Sequence, residues 1–382
     1  MKENEKISKP LIIAELGTSH NGDIIKAKEM ISAAAGVGAS CAKFQIVYAD
    51  EILHPNTGEV PLPGGKIRLY DKFKALELPP DFYAEIKEYT ESCGLMFLCT
   101  PFGKKSAAIL KELKPKMVKI ASPELNYTSL LNEVASWGLP ILLSTGVSTL
   151  GDIERAINIM GTGLGTWEQG VGTRITAFQV PSPKQVPTLL HCVTAYPAPE
   201  TDYNLRLLPN LASIFGVPVG VSDHSSDPEL VPALAVSLGA SVIEKHFCLS
   251  KSDPGLDDPI ALEPKDFSIM VKAINNAWQN TTEETTAFYS RERGTQLVED
   301  ILGSGVKTLA KSEEANYRLT NRSIHALREI KKGEIIKKSD YAILRTEKIL
   351  RPGLEPYWED VIEGRIAQTD IPAGEGIRFE DI

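Results

Sequence analysis

Through its first 280 residues the chain alternates short apolar runs with longer stretches of helical periodicity. The runs PLIIAEL (10–16), CAKFQI (41–46), LMFLCT (95–100) and MVKIAS (117–122) have the length and apolar content of buried strands. So do PILLST (140–145), TLLHCV (188–193), VPVGVS (217–222) and SVIEKHF (241–247). Between most of them lie segments such as IIKAKEMISAAAGVG, PDFYAEIKEYTESCG and DPELVPALAVSLGA, which read as helices. Eight strands, each followed by a helix, predict an α/β protein of the TIM (β/α)8 barrel class. A doubly wound parallel sheet is the alternative.

Punctuation along the chain sets the expected domains. The barrel takes residues 1–280, a polar linker with some helix takes 281–320, and a small β-rich domain takes 321–382. That last domain has short strand-like runs broken by KKGE, RPG and AGEG. Its phrases REIKKGEII and TDIPAGEGI echo one another, too briefly to count as a repeat. Two connections are long for a barrel: YADEILHPNTGEVPLPGGKIRLYDKFKALEL (48–78) and GTGLGTWEQGVGTRITAFQVPSPKQV (161–186). Loops of that length commonly serve as lids or added interaction surfaces.

Composition narrows the partners. A net charge of -9 argues against nucleic acid or an anionic membrane as the main partner, although it leaves room for a local basic pocket. No run approaches a membrane span, and MKENEKISKPLIIAE lacks a signal-peptide pattern. Cys41, Cys93, Cys99, Cys192 and Cys248 form no CxxC pair, and the odd number suggests reduced thiols and a cytoplasmic protein.

In a TIM barrel, polar residues at the C-terminal strand ends face the active site. Here the strand ends carry Glu15; Lys43 and Gln45; Thr100; Lys119, Ser122 and Glu124; and Ser144 and Thr145. Further on come His191, Thr194 and Tyr196; Asp223 and His224; and Glu244, Lys245 and His246. Lys43 and Lys119 lie within apolar strands and need anionic partners when buried. An internal salt bridge to Glu15 or Glu124 would meet that need. Binding of a phosphate or carboxylate is the favoured reading, with Lys43, Thr100, Lys119, Ser122 and Ser144 around a small anion. GVSDHSS (220–226) and IEKHF (243–247) place His224 and His246 at the ends of neighbouring strands, where two imidazoles suit Mn, Co, Fe or Zn. Asp223 is a candidate support for His224, and His191, inside LLHCV, reads as a core histidine.

The ordered set IAELGTSHNGD, AKFQ, LCTPF, KIASPE, LLSTG, LHCVTAYPAP, GVSDHS, IEKHF and ALEP resembles the sialic acid synthase family. NRSIHALREIKKGEII resembles that family's antifreeze-like (SAF, β-clip) domain. The resemblance implies condensation of phosphoenolpyruvate with an N-acyl hexosamine such as N-acetylmannosamine, giving a nine-carbon 2-keto-3-deoxy acid and phosphate by C–O cleavage. It implies phosphoenolpyruvate contacts from Lys43, Thr100, Lys119, Ser122, Ser144 and Thr194. His224 and His246 would hold a divalent metal, Mn2+ or Mg2+, and Tyr196, Asp257 and Arg322 would face the sugar. Glu15 and Glu124 are the expected catalytic carboxylates. The family's small domain docks over a partner's barrel in a domain-swapped homodimer, which would carry Arg322 to the neighbouring subunit's site.

Departures from the family pattern bear on the acceptor. Ser19 and Thr194 stand where many members have asparagine, and GLDDP places Asp258 directly after Asp257. Legionaminate and pseudaminate synthases of the same family are alternatives, as is a synthase making a shorter 3-deoxy-ulosonate. A noncatalytic sugar- or phosphate-binding barrel is the alternative of another class.

Overall fold

The computed structural model describes residues 9–62, 65–161 and 187–382. The expected long connection at 161–186 lies almost wholly outside these residues. Eight strands form one sheet: β1 (Leu11–Gly17), β2 (Cys41–Ile46), β5 (Met96–Pro101), β6 (Val118–Ile120), β7 (Ile141–Ser144), β8 (Thr188–Cys192), β9 (Val219–Asp223) and β10 (Val242–His246). Two hairpin strands, β3 (Glu59–Leu62) and β4 (Gly65–Arg68), fall within the connection after β2. The sheet order is β5-β2-β1-β10-β9-β8-β7-β6, and its described pairings are parallel. Followed from β1 in either direction, the order keeps chain sequence around a ring. A doubly wound sheet would instead reverse at a switch point. The fold is therefore the TIM-barrel-like α/β class.

Three of the described α-helices start where the N-cap side chain supplies an end bond. Asp23 accepts from Ile25 N and Lys26 N at the start of α1 (Ile24–Gly36). Thr149 and Asp152 form a capping box on α6 (Leu150–Ile159). Between these come α2 (Leu69–Ala75), α3 (Pro80–Ser92), α4 (Lys104–Glu112) and α5 (Thr128–Ala135). After α6 come α7 (Leu207–Phe215), α8 (Leu230–Ser237), α9 (Pro264–Gln279), α10 (Thr282–Arg293) and α11 (Thr295–Leu302). Among these described helices none is long and apolar enough to cross a membrane.

The chain divides into two compact units. The first comprises Met1–Phe44, Ala84–Leu98 and Thr188–Ser312; the second comprises Gln45–Tyr83, Cys99–Pro187 and Glu313–Ile382. In the first unit, the expected linker turns out to hold α10 and α11. Thr281 and Glu284 cap α10, while Val298, Ile301 and Leu302 bury the inner face of α11. Leu205 N and Arg206 N donate to the carbonyls of Ile301 and Leu302, so this stretch is packed structure.

In the second unit, the C-terminal domain pairs β11 (Arg322–Ala326) with β12 (Tyr341–Arg345). Its two echoing phrases are related by geometry as well as by sequence. Ile330 and Ile371, 41 residues apart, exchange both backbone bonds. At the same offset, Gly333 N donates to Ala367 O and Gly374 N to Ala326 O, while Ala367 N donates to Glu334 O and Ala326 N to Glu375 O. Gly333 and Gly374 both have positive φ, near 90°, which favours glycine. A repeat that looked too brief in sequence is a pseudo-twofold in the backbone.

Candidate functional site

Register builds the first cluster, which lies wholly in the first unit. Glu15 on β1 pairs with Lys43 on β2 and with His246 on β10, and Glu244 pairs with Ser222. Lys43 Nζ lies 2.9 Å from Glu15 Oε2 and 3.6 Å from Glu244 Oε1, which also accepts from Ser222 Oγ at 2.9 Å. All of these side chains are buried. The internal salt bridge weighed for Lys43 is thus formed, and it takes in a second carboxylate that sequence reading had not paired with it.

Strand alternation sorts the remaining groups at the end of β10. Glu244 and His246 share one face, and Lys245 points to the other. Lys245 Nζ donates to Asp223 Oδ2 at 2.6 Å and to Ser225 O at 2.6 Å, fully buried. Asp223 acts on the His224 ring only through its charge, its Oδ2 being taken by Lys245 and its Oδ1 by Ser225 N. The direct bond to the ring comes from the carbonyl of Val193, 2.8 Å from Nδ1, while Tyr203 Oη accepts from His224 N at 2.7 Å.

The His224 and His246 rings lie 5.5 Å apart between centroids. Tyr196 packs against both, at 4.3 Å and 6.1 Å. Asp257 Oδ2 is 3.8 Å from His246 Nδ1. Burial, joined by the nearby His224, lowers His246 to about 4 against the pull of Asp257, so its imidazole is neutral at neutral pH. Burial also opposes charge on His224, but the Cys192 thiol and the Val193 carbonyl outweigh it and raise that ring to about 9. Among the described residues, no three His, Cys, Asp or Glu side chains come together to hold a metal. The donor chemistry still fits a divalent cation that keeps open positions. His246 is an uncharged donor, whereas His224, with Nδ1 on the Val193 carbonyl and its ring raised to about 9, must give up a proton for Nε2 to bind a cation. His191 behaves as a core residue, bonded through Nε2 to Tyr203 O at 2.5 Å and lowered by burial to about 3.

Two of the departures from the family pattern, Ser19 and Asp258, meet in this unit. Asp258 is fully buried, accepts from Gly255 N at 2.8 Å and is hydrogen-bonded by Ser19. A Cβ on Gly255 would lie 2.4 Å from Asp258 Oδ2, so this turn requires glycine. Asp258 locks the loop, leaving Asp257 on the side of His246. Thr194 is buried in the same unit.

The second cluster belongs to the second unit. Lys119 on β6 is buried, with Nζ donating to Ile120 O at 3.2 Å. Ser122 Oγ accepts from Gly146 N at 3.0 Å. Ser144, ending the adjacent strand β7, has a buried hydroxyl without a hydrogen-bond partner among the described residues, and Thr100 is buried at the end of β5. Glu124 is fully buried; its Oε1 accepts from Nε of Arg322 at 3.0 Å, with Nη2 of the same guanidinium at the same distance. Arg345, which sequence reading did not single out, adds Nε and Nη2 to the same oxygen at 3.0 and 2.5 Å. The resemblance sends Arg322 to a neighbouring subunit; in this chain it lies on the chain's own Glu124. Asn126 holds it there through its backbone, at 2.9 Å to Arg322 O and 3.2 Å from Arg322 N.

A cavity of about 830 Å³ in this unit is bordered by Arg155, Arg322, Tyr357, Trp358 and Phe379. Of the expected site residues only Arg322 reaches it, so it is distinct from the strand-end cluster.

A TIM-like barrel with ion-paired carboxylates and two imidazoles at its strand ends, followed by a small clip of paired short strands, defines a class of two-part barrel proteins. Comparison makes this specific. The chain belongs to the NeuB family, whose model matches residues 30–286, and a SAF domain matches residues 321–382. This is the family of nonulosonic acid synthases. The chain is 32% identical over 379 residues to the N,N'-diacetyllegionaminic acid synthase of Campylobacter jejuni, covering 97% of this chain and 100% of that protein. It is 31% identical over 380 residues to the pseudaminic acid synthase of Helicobacter pylori, covering 98% of each. The crystal structure of spore coat polysaccharide biosynthesis protein SpsE from Bacillus subtilis superposes with a TM-score of 0.76 at 31% identity, covering 98% and 95% of the two chains.

Proposed function

We propose that the chain condenses phosphoenolpyruvate, an N-acyl hexosamine in its open-chain form and water into a nine-carbon 2-keto-3-deoxy acid and phosphate. C3 of phosphoenolpyruvate bonds to the aldehyde carbon, water adds at C2, and the C2–O bond to phosphate breaks. Its neighbours' names, legionaminic and pseudaminic acid synthases, support an amino-sugar acceptor of this kind. The observation that carries the anion side is Ser144, whose buried hydroxyl has no hydrogen-bond partner among the described residues and ends the strand beside that of buried Lys119. A buried hydroxyl left dry is costly unless a ligand satisfies it.

Lys119, Ser122, Ser144 and Thr100 would bind the phosphate or carboxylate of phosphoenolpyruvate, together with Lys43 and Thr194. His224 and His246 would hold Mn2+ or Mg2+, which when bound supplies Lewis acidity at the sugar carbonyl. Tyr196 and Asp257 would orient the acceptor. Glu124, with one oxygen committed to arginines, would take the proton of the attacking water or the hydrogen bond of the sugar through the other. Glu15, tied to Lys43, would handle the second proton. A homodimer is part of this reading, and sedimentation at micromolar concentration checks it.

Phosphate release from phosphoenolpyruvate, measured with Mn2+ and a panel of N-acyl hexosamines, tests the proposal. Release with several N-acyl sugars and none with erythrose 4-phosphate or arabinose 5-phosphate is expected. Release only with the phosphorylated sugars would favour a shorter-product synthase, and no release with any sugar would sink the enzymatic reading.

A further inference from the structure

Arg322 and Arg345 are direct cross-strand partners on β11 and β12. Like charges facing each other across an antiparallel pair repel, and burial makes the repulsion worse. Burial lowers the Arg322 guanidinium below its ordinary value; Glu124 opposes that shift and Arg345 adds to it. Here the pair is bridged by the one carboxylate of Glu124.

The bridge is one-sided. Three N–H groups, Arg322 Nε and Arg345 Nε and Nη2, donate to Glu124 Oε1, and Arg322 Nη2 lies 3.0 Å from the same oxygen. Glu124 Oε2 is buried and has no hydrogen-bond partner among the described residues. An arginine and a carboxylate ordinarily meet as a fork on both oxygens. Arg322 cannot shift to that geometry, because Nη1 also donates to Ile343 O and Glu51 O, and Nη2 to Phe102 O. Arg345 is likewise placed, its guanidinium 5.4 Å from the centre of the Phe102 ring. Nor does Glu347 draw Arg345 away at full charge. Its nearest oxygen is 4.0 Å off, and burial pushes the Glu347 carboxyl up, with Arg345 opposing and Glu124 reinforcing the shift.

We infer that Arg345 is a positioning residue: with Arg322 opposite, it commits Oε1 of Glu124 and so presents Oε2 as the oxygen that meets the substrate. The inference rests on the proposed function for the identity of that substrate. A buried carboxylate oxygen left dry is destabilising, and a water or sugar hydroxyl that donates to it recovers that cost on binding. The small domain thereby sets the direction in which the barrel's carboxylate acts.

The test uses the full-length chain. Arg345→Ala is expected to lower kcat about 100-fold, with KM for phosphoenolpyruvate within about threefold of the parent. Added guanidinium ion is expected to restore at least about tenfold of that loss while leaving the parent enzyme unaffected, and Arg345→Lys should lose less than Arg345→Ala. A second measurement needs no activity. Glu124→Gln should lower the Tm, and adding Arg345→Met should raise it again by about 3 °C, because the unbridged arginine pair is relieved. Unchanged kcat in Arg345→Ala, a loss that guanidinium does not relieve, or additive Tm losses would each overturn the inference. If the parent protein releases no phosphate with any acceptor, the proposed function fails alone and the Tm cycle still decides the role of Arg345.

Discussion

Glu15 and Glu124 both end barrel strands and are both buried, yet their charges are met in opposite ways. Glu15 is met by its sheet neighbour, Lys43, in direct register and reinforced by the Glu244–Ser222 pair one strand over. Glu124 is met by residues 198 and 221 positions away, from a different domain. The first arrangement is complete once the barrel strands pair. The second exists only when β11 and β12 have formed and docked. Removing one member of each set should therefore have unequal effects.

The largest is expected at Glu124. Glu124→Gln should cut kcat about 1,000-fold and cost about 4 kcal/mol of stability, since it strands two facing guanidiniums. Glu15→Gln should cost less than half of that stability, because Lys43 retains Glu244. Paired denaturation curves check this, and equal losses would break the comparison. Next comes His246→Ala, which pairs in register with Glu15 but belongs to neither ion pair. Its loss should fall on Mn2+ affinity, by about 100-fold in calorimetric titration, with little change in Tm. Lys43→Met comes third. It leaves Glu15 and Glu244 as adjacent buried anions, and KM for phosphoenolpyruvate should rise about tenfold while the sugar KM moves less.

Sequence made the barrel legible because each strand announced itself as a short apolar run with chemistry at its end. The observed bounds of β1, β2, β9 and β10 agree with the runs to within two residues. Period-two alternation was also available in IEKHF, yet Lys245 was grouped with Glu244 and His246 although it must face the other way. Arg345 was invisible for a different reason. At the end of YAILR a charged residue reads as a solvated strand terminus, and nothing local reveals that its partner is Glu124. The linker was expected to hold some helix, but its packing did not show in the sequence: α10 is polar over most of its surface and is held by its cap and by packing. The pseudo-twofold in the last domain lives in backbone bonds, which two short similar phrases barely encode.

The smallest predicted effect concerns the hairpin itself. His325, on β11 three residues beyond Arg322, is fully buried, with Nδ1 bonded to Gly374 O at 2.8 Å and Nε2 to Ser323 Oγ at 2.7 Å. Burial lowers it to about 4; the Gly374 carbonyl works the other way, and His54, Arg322 and Arg351 add to the lowering. An unfolded chain takes up this proton near 6.5, so between that pH and about 4 the unfolded state binds more protons than the folded one. The contribution to stability is complete above pH 6.5, declines as the pH falls and is gone below about 4, a loss of about 3 kcal/mol across the window. His20 and His191, also lowered by burial, add the same sign in the first unit. His325→Gln should flatten this slope in denaturant titrations between pH 7 and pH 4.5 without abolishing it. If the slope is unchanged, β11 is not the element through which acid loosens the Glu124 clamp, and the contrast between the two carboxylates would have to rest on the arginines alone.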